Sequence, residues 1–210
     1  METSRAMTIG WNLGNSLVAT GGETAWGNFA TSQVLIDSVK AAGFNTIRIP
    51  VAWDGHANQA TNIIDAAWIA RVKDVVDYCI KNKMYVIINI HWENGWLERN
   101  ITTAMQVSVN AKQKTYWTQI ANYFKAYDGH LLFASANEPA AETAEQMQVL
   151  LSYHQTCVDA VRATGGNNSS RTLIVQGPVT DIEKTNSFMN TLPKDKIADR
   201  LMGEVHYYTP

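Results

Sequence analysis

The sequence predicts an α/β protein built on a parallel sheet. Three observations carry that expectation. Short β-branched or apolar runs alternate with longer amphipathic stretches along the chain. One run, MYVIINI (84–90), is apolar on both faces, as a strand covered by helices on either side must be. Glycine, proline or short polar segments divide the runs from the stretches.

The elements follow in order. Residues 7–13 (MTIGWNL) precede a glycine-rich loop and read as the first strand. Residues 31–42 read as a helix, with Val34, Leu35, Val39 and Ala42 at helical spacing, Thr31 or Ser32 as cap and Gly43 as stop. FNTIRIPV (44–51) is the second strand, ended by Pro50, which has no N–H for a ladder. A helix over 65–82 repeats Ile69, Val72, Val76 and Ile80, and residues 84–90 form the third strand. A helix over 110–126 turns Trp117, Ile120 and Phe124 inward, and LLFASAN (131–137) is the fourth strand. Residues 142–164 form a helix stopped by Gly165-Gly166. RTLIVQG (171–177) is the fifth strand, Asp181 caps a short helix near 181–190, and RLMGEVHYY (200–208) is the sixth. These βα repeats, with right-handed crossovers, fit an open doubly wound sheet or a (β/α) barrel.

Composition narrows the function classes. Of the 210 residues 46% are hydrophobic and 17% charged, enough apolar surface to offset the ordering of one domain over 1–210. A net charge of −2 without a basic stripe argues against nucleic acid as a partner. No apolar run reaches about 18 residues, so no membrane span is expected. Met1–Met7 has no apolar core, so no signal peptide is expected in this chain. Gly10, Gly14, Gly21 and Gly22 lack dinucleotide-fingerprint spacing, and no phosphate-binding loop occurs. Cys79 and Cys157 read as small buried hydrophobes, and His56, His130 and His154 as structural or surface residues without a metal-ligand pattern.

The unusual polar residues collect at the C-terminal ends of the strands: Asn12, Asn15, Arg48, His91, Asn137, Glu138, Gln176, His206 and Tyr208. In a barrel those ends share one rim, where active sites form. Glu138 sits on stiff backbone between Asn137 and Pro139. In a partly desolvated pocket it would have a raised pKa and could act as a general acid. It could equally be a helix-start carboxylate favoured by the helix dipole.

Six segments in order, GWNLGN (10–15), GFNTIRIPVAW (43–53), YVIINIHWENGW (85–96), LLFASANEP (131–139), RTLIVQG (171–177) and EVHYYTP (204–210), make the chain resemble glycoside hydrolase family 5, the cellulase family of (β/α)8 barrels. The resemblance implies that Glu138 is the general acid/base and that Asn137 bonds the sugar 2-hydroxyl. It implies that Arg48 orients the nucleophilic carboxylate and that His91, His206 and Tyr208 line the subsite. The expected fold is then an incomplete TIM-type barrel of about six βα units. The expected activity is that of a retaining endo-β-1,4-glucanase acting on β-glucan or cello-oligosaccharide, with no cofactor. A non-catalytic carbohydrate-binding scaffold and a xyloglucanase, mannanase or lichenase are the alternatives. A secreted or cell-surface location is expected for the parent enzyme.

The family's nucleophile ends the seventh barrel strand, and this sequence stops at Pro210, after the sixth. A retaining site needs a second carboxyl about 5–5.5 Å from the first. Glu204 shares the inward face with His206 and Tyr208 but lies deeper in the barrel. Glu93 and Glu98 read as solvated loop carboxylates. Open first and last strands predict a homo-oligomer. Trp26, Trp53, Trp92 and Trp96 fall near the rim; Trp92 and Trp96 are expected to stack on sugar, while Trp68 and Trp117 belong to the core.

Overall fold

The computed structural model describes residues 2–208. Its main sheet holds six parallel strands: β1 (Gly10–Asn12), β2 (Thr46–Ile49), β3 (Tyr85–Asn89), β4 (Leu131–Ala134), β5 (Leu173–Gln176) and β6 (Leu201–Glu204). Their spatial order is their chain order. Between them run α1 (Gln33–Ala41), α2 (Ala66–Lys81), α3 (Gln106–Phe124), α4 (Ala144–Ala163) and α5 (Ile182–Phe188). The architecture is an incomplete (β/α)8 barrel. Among the described residues β1 and β6 each pair on one edge only.

Helix starts follow local chemistry. Ser32 accepts the Leu35 N–H at 3.3 Å, Asp65 those of Ala67 and Trp68 at 2.7 and 2.9 Å, Thr143 that of Gln146 at 3.2 Å and Asp181 that of Lys184 at 2.8 Å. Strand alternation then sorts the side chains. Ile47, Ile49, Val86, Ile88, Leu131, Phe133 and Leu173 face the helices and share one core with Trp68, Val72, Val76, Cys79, Trp117, Ile120, Phe124 and Cys157. The opposite face carries Ile87, Leu132, Ala134, Ile174 and Met202. The parallel register sets Arg48 beside Ile87 and Gln176 beside Glu204.

The boundaries differ from expectation in instructive places. The first strand is Gly10–Asn12 rather than 7–13, because Glu2–Ala6 is helical and Asn45 fixes the link: its Nδ2 donates to the Ala6 carbonyl and its Oδ1 accepts the Thr8 N–H. Helix α1 buries Ile36 and Val39, whereas Val34 is 72% exposed. Helix α3 begins at Gln106, four residues earlier than its apolar pattern. A small hairpin pairs Ala57–Asn58 with Ile63–Ile64, a feature without a sequence expectation. Residues 205–208 extend beyond the last ladder pair, Gln176 with Glu204.

Candidate active site

A cleft of ≈ 300 Å³ opens at the C-terminal ends of the strands. Seven of the eight sequence-predicted site residues, namely Arg48, His91, Trp92, Asn137, Glu138, His206 and Tyr208, line it together with Asn12, Trp26 and Glu93. Arg48 rises from β2 and holds the floor. Its Nη1 donates to Asn12 Oδ1 at 3.1 Å and its Nη2 to Asn137 Oδ1 at 2.7 Å. Asn137 is 6% exposed. With Oδ1 engaged by the guanidinium, its amide N–H groups are left for a ligand acceptor.

Glu138 stands one residue further, half-buried. Its Oε1 accepts the Tyr208 hydroxyl at 2.5 Å and faces His206 Nδ1 at 2.7 Å. On the other side of the same ring, His206 Nε2 faces Glu204 Oε1 at 2.8 Å. Glu204 also lies 3.4 Å from Arg48 Nε and accepts from Gln176 Nε2 at 2.6 Å. The inward placement of 204, 206 and 208 on one face therefore yields a continuous chain: arginine, glutamate, imidazole, glutamate, tyrosine.

The charges are tuned by that chain. Burial would raise the Glu138 carboxyl, but the hydrogen bonds with Tyr208 and His206, helped by the charge of His206, outweigh it and hold the group below its usual range. This corrects the expectation of a raised Glu138. The reason is that His206 touches it directly, while among the described residues no second carboxylate does. Glu204 behaves alike: burial pushes up, and His206, Arg48 and Gln176 pull further down. His206 is raised, first by its bond with Glu204 and also by Glu138, against burial. The bond with Glu138 pushes the Tyr208 hydroxyl up to about 12. Burial, with the Arg48 charge, drops His91 to about 4, so it is neutral. Asn89 Nδ2 lies 3.2 Å from His91 Nδ1; an amide donor there makes Nδ1 the acceptor and leaves the ring proton on Nε2.

The aromatic expectations divide. Trp92 is 38% exposed at the cleft and Trp26 50% exposed beside it. Trp96 is not in the cleft wall: it packs against both buried clusters, lies edge-on to Tyr116 at 5.6 Å and carries the Lys112 ammonium 4.9 Å above its ring. It serves the loop after β3 as hydrophobic cover rather than as a sugar platform. Trp53 is fully buried, its indole N–H donating to the Asn89 carbonyl at 2.9 Å.

The two loop carboxylates are buried rather than solvated. Glu93 is 4% and Glu98 1% exposed. The loop folds back under the rim, where burial pushes the Glu98 carboxyl well above its usual range and the Glu98 backbone carbonyl accepts the Ala140 N–H at 2.9 Å. Asn89 carries no sequence expectation, Glu204 lies on the inward face as its spacing predicts, and Glu93 is buried where a solvated loop carboxylate is expected. The Asn94-Gly95 pair directly after Glu93 was the available signal, since such a pair marks a tight turn that folds its neighbours inward. Among the described residues no group of three or more His, Cys, Asp or Glu could hold a metal ion.

The cellulase (glycosyl hydrolase family 5) model matches residues 12–210. The chain belongs to glycosyl hydrolase family 5. Endoglucanase B of Clostridium cellulovorans is 43% identical over all of this chain, which covers 49% of that protein. The xyloglucan-specific endo-β-1,4-glucanase of Bacteroides ovatus is 39% identical, again over the whole chain and 45% of the relative. Among solved structures, a xyloglucan-specific β-1,4-glucanase from a ruminal metagenomic library superposes with a TM-score of 0.93 at 46% identity, over 100% of this chain and 60% of that one. The chain thus spans about half the length of the curated relatives it matches.

Proposed function

We propose that this chain forms the acid/base half of a retaining β-1,4-glucanase site. The observation that carries the reading is Glu138 in the cleft, one residue after an asparagine whose donors Arg48 leaves free. In such a reaction the carboxyl in the position of Glu138 gives its proton to the glycosidic oxygen as the bond to the anomeric carbon breaks. A carboxylate across the sugar attacks that carbon and forms the glycosyl-enzyme. Glu138 then takes a proton from water, and the resulting hydroxide releases the sugar. A second carboxylate facing Glu138 would raise its pKa by like-charge repulsion, readying it as the acid. Among the described residues the only other carboxyl in the cleft wall is Glu93, and Glu204 lies behind His206.

The β-1,4-glucan backbone is the proposed substrate, bound between Trp26 and Trp92. Xyloglucan is the second reading, favoured by the 46% identity to a xyloglucan-specific glucanase. Calorimetric titration with cellotetraose and with a xyloglucan heptasaccharide tests both. Wild type should bind, Asn137→Ala should bind less, and tighter binding of the branched sugar supports the second reading. Carboxymethyl-cellulose hydrolysis by these 210 residues should fall at least ~10³-fold below that of a complete family enzyme, since among the described residues no carboxylate faces Glu138 across the cleft. Failure to bind either sugar, or full activity, overturns the proposal. The unpaired edges of β1 and β6 support one further reading, that copies of this chain associate through them.

A further inference from the structure

Trp92 enters the cleft on an uncommon backbone. Glu93, Asn94 and Gly95 have φ of 36°, 64° and 76°, three successive residues in the left-handed region. Glycine adopts it freely and asparagine tolerates it, but a glutamate there works against its own Cβ. Something must hold the turn. The Glu93 side chain runs from the cleft wall into the protein and ends on the neighbouring loop. Its Oε1 accepts the backbone N–H groups of Asp54 and, at 3.2 Å, Gly55. Its Oε2 accepts the Trp96 indole N–H at 3.4 Å. Asp54 and Gly55 belong to the loop after β2, so one carboxyl ties the loops after β2 and β3 together.

A second brace closes on the same tryptophan. The Arg99 guanidinium lies 4.8 Å from the centre of the Trp92 ring. Its stem crosses Gly95 so closely that a Cβ there would stand 2.7 Å from Arg99 Cγ. Gly95 is thus required twice, for its φ and for the passage of Arg99. Asp54 is anchored in turn, accepting the Tyr116 hydroxyl at 2.5 Å and pairing with Lys112 at 2.6 Å. The chain of contacts leads from the helix α3 side chains through Asp54 and Glu93 to the ring in the cleft.

We propose that Glu93 is a positioning residue for glycan binding: by receiving the Asp54 and Gly55 amides it fixes the left-handed turn at 93–95 and so sets Trp92 where a pyranose ring stacks. The inference rests on the glycan-binding reading of the cleft.

The test uses the 210-residue chain and cellotetraose titrated by calorimetry. Trp92→Ala and Glu93→Ala should each weaken binding roughly tenfold, as loss of one anchoring contact does. The double variant should lose no more than Trp92→Ala alone. Glu93→Gln should restore binding, because its amide oxygen accepts the same two N–H groups. Glu93→Asp, one methylene short, should behave as the alanine variant and replaces it if the latter does not fold. Wild-type affinity in both Glu93→Ala and Glu93→Asp overturns the proposal. So does multiplication of the two losses in the double variant, which would mean that Glu93 touches the sugar itself. If wild type binds no cellotetraose, the glycan reading fails by itself. The brace is then read from hydrogen exchange: the Asp54 and Gly55 amides should be protected in wild type and Glu93→Gln and lose protection in Glu93→Ala, and unchanged exchange overturns it.

Discussion

Replacing Glu93 by glutamine should alter how stability depends on pH while leaving the fold intact. Burial lifts the Glu93 carboxyl from 4.5 to about 8; the Asp54 charge adds to the rise, and the bonds from Gly55, Asp54 and Trp96 offset part of it. Unfolded, the same group ionises near its ordinary value. Between the two, the unfolded chain has released a proton that the folded chain still holds. Raising the pH through that window therefore favours unfolding. The penalty is absent below the unfolded value and complete above the folded one. Each pH step across the window is worth about 1.4 kcal/mol, so the whole is on the order of 5 kcal/mol. Glutamine carries no such proton, and the other titrating groups are common to both proteins and cancel in the difference, save Glu98 and Tyr116, which feel the Glu93 charge. The two proteins should melt together near pH 4. By pH 8.5 the variant should melt higher by on the order of 10 °C for a domain of this size. Differential scanning calorimetry at constant ionic strength across this range is the assay. A melting difference that stays constant from pH 4 to pH 8.5 would refute the reasoning.

Arg171 supplies a stability prediction of a different kind. It is 2% exposed, and its guanidinium donates to the carbonyls of Phe124, Tyr127, Asp128 and Leu131 and to Asn168 Oδ1, capping the C-terminal end of helix α3 and the start of β4. Arg171→Met leaves those acceptors buried and unpaired and should cost about 3–5 kcal/mol in urea unfolding; a loss below 1 kcal/mol would show that water or rearrangement satisfies them. Association through the free strand edges should appear in light scattering at micromolar concentration as a mass above 23.3 kDa, and a stable monomer would refute it.

Much of the barrel was legible because its signal repeats. Apolar runs at Thr46–Ile49, Tyr85–Asn89 and Leu131–Ala134 can be placed only one way between helices whose caps are Ser32, Asp65 and Thr143. The rim residues were legible because parallel strands bring their C-terminal ends to one side, so Arg48, His91, Glu138 and His206 meet without any turn being known. What stayed hidden depends on how loops fold back. Glu93 and Glu98 look like ordinary solvated acids in sequence, and only the turn at 93–95 carries them under the rim. Trp53 and Trp96 share the composition of a sugar platform with Trp92, but a buried indole acceptor and a crowded ring face decide against them. The lowered Glu138 pKa was illegible for a sharper reason: it is set by hydrogen bonds from Tyr208 and His206, and pair geometry of that kind has no periodicity to read.

The identity of spatial and chain order in the main sheet has a consequence for synthesis. Each strand docks on the one made just before it, and no described strand is later wedged between two earlier ones. As the chain leaves the ribosome, the growing sheet offers one advancing edge, and the next βα unit covers it. Contacts are then gained in the order of translation, without reopening paired strands. The same rule that gathers the cleft residues at one rim lets the protein assemble as it emerges, and a pause in translation would leave the newest edge exposed.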